Sequence, residues 1–272
     1  MISYMDGVYT PNEQLSIPIT DLGFMRSHTA YECVRHYNGH LFDIESHLER
    51  FYETMKTLGL ICSPVDIIQI CQSLIEKNRT PDGIFRIYQT SGIAGEGRLI
   101  ILSQPLPIYL QTTSKVKTTP NFRTHPLVKA THYSHALKAI YDAKNEGFDE
   151  VIYLDEKKNL LELSYSNFFA IKDHFLITPK DGILPGVTRK HLLLIAPKVG
   201  LIPQERPLAY HEICFMDEVF HCNTTREVTP ITQIDEIQFF FHAKTTLLHK
   251  ALKSHIQLSL NSSKLKNWSF PS

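Results

Sequence analysis

The chain has 272 residues, 43% apolar and 21% charged, the balance of an ordinary globular protein. That length implies about two domains of roughly 150 residues, or one large one. Lysine and arginine (28) equal aspartate and glutamate (28), so the excess of basic surface that nucleic-acid or anionic-membrane binding rests on is missing. No apolar run approaches the ~20 residues that cross a bilayer. Residues 1–6 carry neither a basic nor an apolar leader segment, and a cytoplasmic protein is expected. Cys33, Cys62, Cys71, Cys214 and Cys222 form no C-x-x-C pair, which points to reduced, structural thiols. His132 and His135 are i, i+3 neighbours, but no further ligand stands at a metal spacing, so no metal is expected.

In chain order, residues 2–9 read as a strand folded back at Asp6-Gly7. Residues 29–37 and 39–42 form a second hairpin about Asn38-Gly39. A helix follows Asp43, its N-cap, with Ile44, Leu48, Phe51, Tyr52, Met55 and Leu58 on a 3.6-residue stripe and Gly59 ending it. Ser63-Pro64 is read as opening another helix, with Ile67, Ile68, Cys71, Leu74 and Ile75 inward. Residues 83–90 and 98–103 read as strands, and 110–117 as a linker or edge strand. Later come a helix over 133–145, strands over 150–154 and 160–172, and a helix from 187 to about 199. A strand over 218–223 and a helix over 243–256 follow, with a loose polar tail from Asn261. This mixture is an α+β architecture in two parts: 1–112, a linker at 113–119, and 120–272.

Three features could carry chemistry. Lys129 sits in the apolar stretch Leu127-Val128-Lys129-Ala130. It is either a snorkelling surface lysine or a desolvated amine suited to Schiff-base or proton-transfer chemistry. Leu184-Pro185-Gly186-Val187-Thr188-Arg189 is either an ordinary helix start or an anion site made of free N–H groups and the helix dipole. Asn223-Thr224-Thr225-Arg226 offers hydroxyls to a phosphate or bonds its own backbone in a turn.

Taken together, these pieces resemble the class IV, fold-type IV enzymes dependent on pyridoxal 5′-phosphate (PLP). That group includes branched-chain and D-amino acid aminotransferases and 4-amino-4-deoxychorismate lyase. The resemblance runs over residues 2–250: Tyr31-Glu32-Cys33-Val34-Arg35 before Asn38-Gly39, His47-Leu48-Glu49-Arg50, Lys129 ahead of Gly147-Phe148-Asp149-Glu150, Glu162 with Asn167-Phe168-Phe169, and 184–189.

The resemblance implies a two-domain α/β enzyme with a smaller N-terminal domain, a larger C-terminal one and PLP between them. It makes Lys129 the Schiff-base lysine and general base, and Glu162 the carboxylate that keeps the pyridine nitrogen protonated. It gives the phosphate to Arg50, the N–H groups of Val187 and Thr188, and the hydroxyls and N–H groups of Thr224 and Thr225, with Tyr133 on the phenolic oxygen. Tyr31, Arg35 and Arg98 would meet the substrate, with Glu32 pairing Arg50 or another nearby base. The implied reaction is amino-group transfer between an amino acid and a 2-oxo acid. The alternative is release of pyruvate from aminodeoxychorismate to yield 4-aminobenzoate for folate synthesis. Tyr31-Glu32 favours the transaminase; the short chain and brief N-terminus favour the lyase. A homodimer is implied as well.

Overall fold

The computed structural model describes the chain except residues 62–63, 94, 121–122, 124 and 267–272, together with the side chains of 262–266. Two compact units result: Met1–Pro107 with Val128–His132 and Ser259–Ser272, and Ile108–Leu127 with Tyr133–Leu258.

The first unit is an antiparallel sheet covered by helices. Its elements are β1 (Ile2–Met5), β2 (Val8–Pro11), α1 (Leu22–Arg26), β3 (Thr29–Tyr37), β4 (His40–Leu41), α2 (Ile44–Leu58), α3 (Ile67–Asn78), β5 (Gly83–Thr90) and β6 (Leu99–Gln104). The strand order is β2-β1-β6-β5-β3-β4. Both short turns have the left-handed residues their sequences suggest: φ is 47° and 94° at Asp6-Gly7 and 49° and 78° at Asn38-Gly39.

Helix α2 begins where Asp43 accepts from the Ser46 N–H and stops at left-handed Gly59. Its stripe buries Ile44, Leu48, Phe51 and Met55 against Val34, Phe85, Ile87 and Ile101 of the sheet and Ile67, Ile70, Cys71 and Leu74 of α3. Tyr52, read as part of that stripe, is 41% exposed, because it lies about 100° around the helix from Phe51. Helix α3 is capped by Asp66, whose side chain accepts from the Gln69 N–H. Ser63, read with Pro64 as its start, lies outside the described residues.

The second unit contains β7 (Ser114–Pro120), α4 (Ser134–Asn145), β8 (Glu150–Leu154), β9 (Asn159–Leu163), β10 (Asn167–Lys172), β11 (Phe175–Thr178), α5 (Val187–Ile195), β12 (Ile202–Glu205), β13 (Leu208–Ala209), β14 (Glu218–Asn223), β15 (Glu227–Ile234) and β16 (Ile237–Gln238), and α6 (Ala243–Lys266) as far as Leu258. Because β9 pairs with both β8 and β10, the path β10-β14-β15-β7-β8-β9 closes on itself at the Glu162–Asn167 pair. Val116, Ile152, Leu163, Phe168, Ala170, Val219 and Ile231 fill a core of this unit.

Three expectations change here. The expected linker at 113–119 is mostly β7, paired in parallel with both β8 and β15, and the first unit's opening stretch runs to Pro107 rather than 112, with Val128–His132 and Ser259–Ser272 returning to it. Its composition misleads because Ser114 and Val116 are buried while Lys115 is exposed, an alternation that half-hides a strand. The stretch 160–172 is two strands, since 164–166 turn the chain. The tail expected to be loose from Asn261 continues α6 as far as Lys266.

Candidate active site

In the first unit, alternation along β3 sorts the predicted residues onto two faces. Glu32 points to the helix side with Val34 and is fully buried. Arg50 donates to it twice, Nε to Oε2 at 2.9 Å and Nη2 to Oε1 at 2.8 Å, and His47 Nδ1 lies 3.1 Å from Oε1. Residues 47 and 50 share one side of α2 because they are three apart. Burial by itself would raise the Glu32 carboxyl, but Arg50, His47 and Lys129 hold it well below the usual carboxylate range. Burial also lowers His47, despite its bond to Glu32. Near neutral pH this cluster is therefore a charged Glu32–Arg50 pair beside a neutral imidazole.

Lys129 is placed by its backbone. Its carbonyl accepts from the Tyr31 N–H at 2.9 Å, its N–H donates to Thr54 Oγ1 at 3.2 Å, and Thr131 N–H reaches Thr29 O at 3.2 Å. With the Ala30–Ala130 bridge, residues 129–131 thus line the start of β3, a stretch that β4, paired only at 36–37, leaves open. The Lys129 ammonium stands 5.1 Å from the Tyr31 ring centroid.

On the face of β3 opposite Glu32, Tyr31 stacks on Tyr88 (5.2 Å between centroids) and Cys33 stands opposite Arg86. Arg35 lies 4.2 Å over the Tyr37 ring. Arg86 hydrogen-bonds Tyr88, and its Nε is buried without a protein partner. Arg86 and Tyr88 were missed from the sequence, although the alternation Phe85-Arg86-Ile87-Tyr88 already separates a polar face from an apolar one. Arg98 stands apart from this face, in an exposed ion pair with Asp6 at the β1–β2 turn (3.1 Å).

In the second unit, Glu162 and Asn167 are register partners across β9 and β10. Glu162 is 3% exposed. Its Oε1 is ion-paired with Arg123 Nη1 and its Oε2 accepts from Asn167 Nδ2 at 3.1 Å. Asn167 Nδ2 also donates to Leu184 O at 2.8 Å. The carboxylate is thereby joined to the segment that opens α5.

That helix starts at Gly186, and among the described residues no side chain caps it, so the N–H groups of its first turn, Val187 and Thr188 among them, have no intrahelical partner. A Cβ at Gly186 would lie 1.9 Å from Asn167 Oδ1, so glycine is required there by contact rather than by φ. Arg189 is fastened to Pro179 O (2.8 Å) and Glu205 (2.6 Å), which pins the helix. Arg123 was missed because its link to Glu162 joins distant positions and leaves no local pattern.

The turn after β14 is set by Asn223. Its Oδ1 accepts from Thr225 N–H (3.1 Å), Thr225 Oγ1 (3.2 Å) and Arg226 N–H (2.8 Å), while its Nδ2 donates to Ser166 Oγ at 3.0 Å. Thr225 N–H is thus turned onto its own chain, and Thr224 donates to no described residue. Tyr133 precedes α4 and lies 5.2 Å, ring to ring, from Tyr165. Nearby, burial pushes the Glu150 carboxyl up to about 7 against the hydrogen bonds of Ser164 and the Val151 N–H. Among the described residues no helix is long and apolar enough to cross a membrane.

With this geometry in place, comparison with known proteins is specific. The model of the amino-transferase class IV family matches residues 29–234. A Methanocaldococcus jannaschii protein provisionally named as a branched-chain-amino-acid aminotransferase is 26% identical over 251 residues, 85% of this chain and 87% of that protein. The crystal structure of branched-chain amino acid aminotransferase from Escherichia coli superposes with a TM-score of 0.86 at 22% identity, over 94% of each chain. A Legionella pneumophila structure provisionally named as 4-amino-4-deoxychorismate lyase gives 0.81 at 22% identity, over 89% of this chain and 96% of that one.

Proposed function

The chain belongs to the class IV aminotransferases, and from that premise we propose that it moves an amino group between an amino acid and a 2-oxo acid with PLP as cofactor. The observation that carries this is the link from Glu162 through Asn167 to Leu184 and the uncapped start of α5. A buried carboxylate suits a protonated ring nitrogen, and an open helix N-terminus suits a phosphate. When bound, the cofactor supplies an aldehyde that condenses with amines and a ring that takes up the electron pair of a deprotonated Cα.

Lys129 is the amine proposed to hold that aldehyde, and its Nζ would be the base that takes the proton from the substrate Cα. Its backbone bonds to Tyr31 and Thr54 fix where the side chain starts. Glu162 would keep a proton on the ring nitrogen, while Asn167 and Arg123 hold the carboxylate in place. Val187, Thr188 and Thr224 are proposed to bind the phosphate with Arg50, whose guanidinium Glu32 orients. Tyr133 is proposed for the phenolic oxygen.

Tyr31, Arg35 and Arg86, whose buried Nε has no protein partner, form the proposed substrate face, and a cation there suits an amino donor or acceptor with a side-chain carboxylate. Arg98, held by Asp6, takes part in substrate binding only if it leaves that pair. A homodimer in the cytoplasm completes the reading; exposed Ile17, Ile19, Leu22, Phe24 and Met25 suit contact with a second copy.

The test is a half-reaction screen on PLP-loaded protein. Loss of the cofactor's long-wavelength absorbance with particular amino acids, restored by 2-oxo acids, is the expected result. Pyruvate release from aminodeoxychorismate with no 2-oxo acid present would replace this reading with the lyase.

A further inference from the structure

The segment that follows β6 lies against the Asn223 turn. Tyr109 OH is 2.8 Å from Thr225 Oγ1. The Arg226 guanidinium stands over the Tyr109 ring, 4.6 Å from its centroid, and its Nη2 donates to Gln111 O at 2.7 Å. Both ends of this contact belong to the second unit. Donor counting orders the bonds. Thr225 has one hydroxyl proton, and Asn223 Oδ1 can only accept. With that proton given to Asn223, Tyr109 is the donor to Thr225. The result is a directed chain, Tyr109 O–H to Thr225 O–H to Asn223 Oδ1, which the Thr225 and Arg226 N–H groups also enter.

We propose that Arg226 is a positioning residue for the anion-binding turn: it clamps residues 109–111 so that Tyr109 and Asn223 together hold Thr225, leaving Thr224 as the donor that faces the phosphate. Thr225 has spent its N–H and its hydroxyl proton inside the turn, so it serves as a link and not as a phosphate ligand. Arg226 acts at two points of this segment. Its planar guanidinium covers the ring and reaches the carbonyl two residues on, a geometry a lysine ammonium cannot reproduce. The phosphate in this statement rests on the PLP reading above; the clamp does not.

The experiment uses the full chain and the variants Arg226→Met, Tyr109→Leu and the double variant, with Arg226→Lys as the conservative case. The first measurement is amide hydrogen exchange over 109–111 and 223–226 in protein freed of cofactor. Arg226→Met is expected to speed exchange of both segments, with Arg226→Lys intermediate and the other strands of the unit unchanged. The second is PLP titration. Each single variant is expected to raise the dissociation constant about threefold to tenfold, the range of one partly exposed cation–π contact with one hydrogen bond. The double variant is expected to do no worse than the weaker single, because the two residues act through one contact.

Exchange and PLP affinity at wild-type levels in Arg226→Met, or single effects that multiply in the double variant, would overturn the clamp while the enzyme assignment stood. A wild-type protein that takes up no PLP would overturn the assignment, and the exchange measurement would still judge the clamp. Thr225→Ser, which keeps the linking hydroxyl, should bind PLP as wild type does, whereas Thr224→Val should weaken it. The reverse order would also refute the proposal.

Discussion

Gly186→Ala is the sharpest perturbation of the link between Glu162 and α5. At Gly186 φ is −70° and ψ 135°, values alanine adopts freely, so the backbone adds no strain. The new methyl would lie 1.9 Å from Asn167 Oδ1 and 3.1 Å from its Cγ, where ordinary contact begins near 3.4 Å. Asn167 has to move by more than 1 Å, and its Nδ2 then loses Glu162 Oε2 and Leu184 O. A bond to a charged group is worth about 1.5–3 kcal/mol and a neutral one about 0.5–1.5, so the loss is on the order of 2–4.5 kcal/mol. At about 2–4 °C per kcal/mol, thermal unfolding followed by circular dichroism should drop by on the order of 5–15 °C. PLP affinity should fall as well, because α5 is displaced. Repeating the substitution in an Asn167→Ala background removes the colliding oxygen, and the cost of Gly186→Ala there should shrink below about 1 kcal/mol. An undiminished cost in that background would refute the steric argument.

Other outcomes follow from the same geometry. Lys129→Ala should lose the cofactor's long-wavelength band on dialysis and retain no borohydride-reducible adduct; a persistent adduct would move the amine elsewhere. Arg50→Ala should weaken PLP by roughly tenfold to a hundredfold, at about 1.4 kcal/mol per decade. It should also raise the pH of acid unfolding. Glu32 has a depressed pKa in the folded protein, so its contribution is present above the unfolded value of about 4.3 and is lost as pH falls from there through the folded value. Removing Arg50 moves the folded value up, and an unchanged acid midpoint would show that His47 and Lys129 suffice. Glu162→Gln should still bind PLP, since the amide is nearly isosteric, yet slow Cα deprotonation in single-turnover measurements. A rate within about threefold of wild type, where tenfold is 1.36 kcal/mol, would mean that another group serves the ring nitrogen.

Much of the first unit was legible locally. Asp43 and Gly59 bound α2, and the Asn38-Gly39 turn placed β3 opposite β4, because caps and turns are chemistry between near neighbours. Strand β15 was passed over: Pro230 argues against a strand, yet it pairs with Phe220 of β14, and β7 joins only from Ile231 onward. Strands β11 and β12 were too short to stand out. The helix expected to 199 closes as a 3₁₀ turn over Ala196–Val199, where Pro197 interrupts it.

What the sequence determined alone was the set of groups and their order: an amine at 129, a carboxylate at 162, and a helix start at 186 that no side chain caps. These rest on residue identity and short spacing. Tertiary structure decided which groups are occupied. Glu162 meets Arg123, Arg50 and His47 converge on Glu32, Thr225 is drawn onto Asn223, and Arg98 is held by Asp6. Hydrogen bonds and ion pairs form between whatever the fold brings within about 3 Å, and strand register and helix packing set those approaches between residues far apart in the chain. Thr224 and Thr225, adjacent and alike in sequence and in the same turn, end in different states because Asn223 Oδ1 takes the N–H and hydroxyl of Thr225, while Thr224 donates to no described residue.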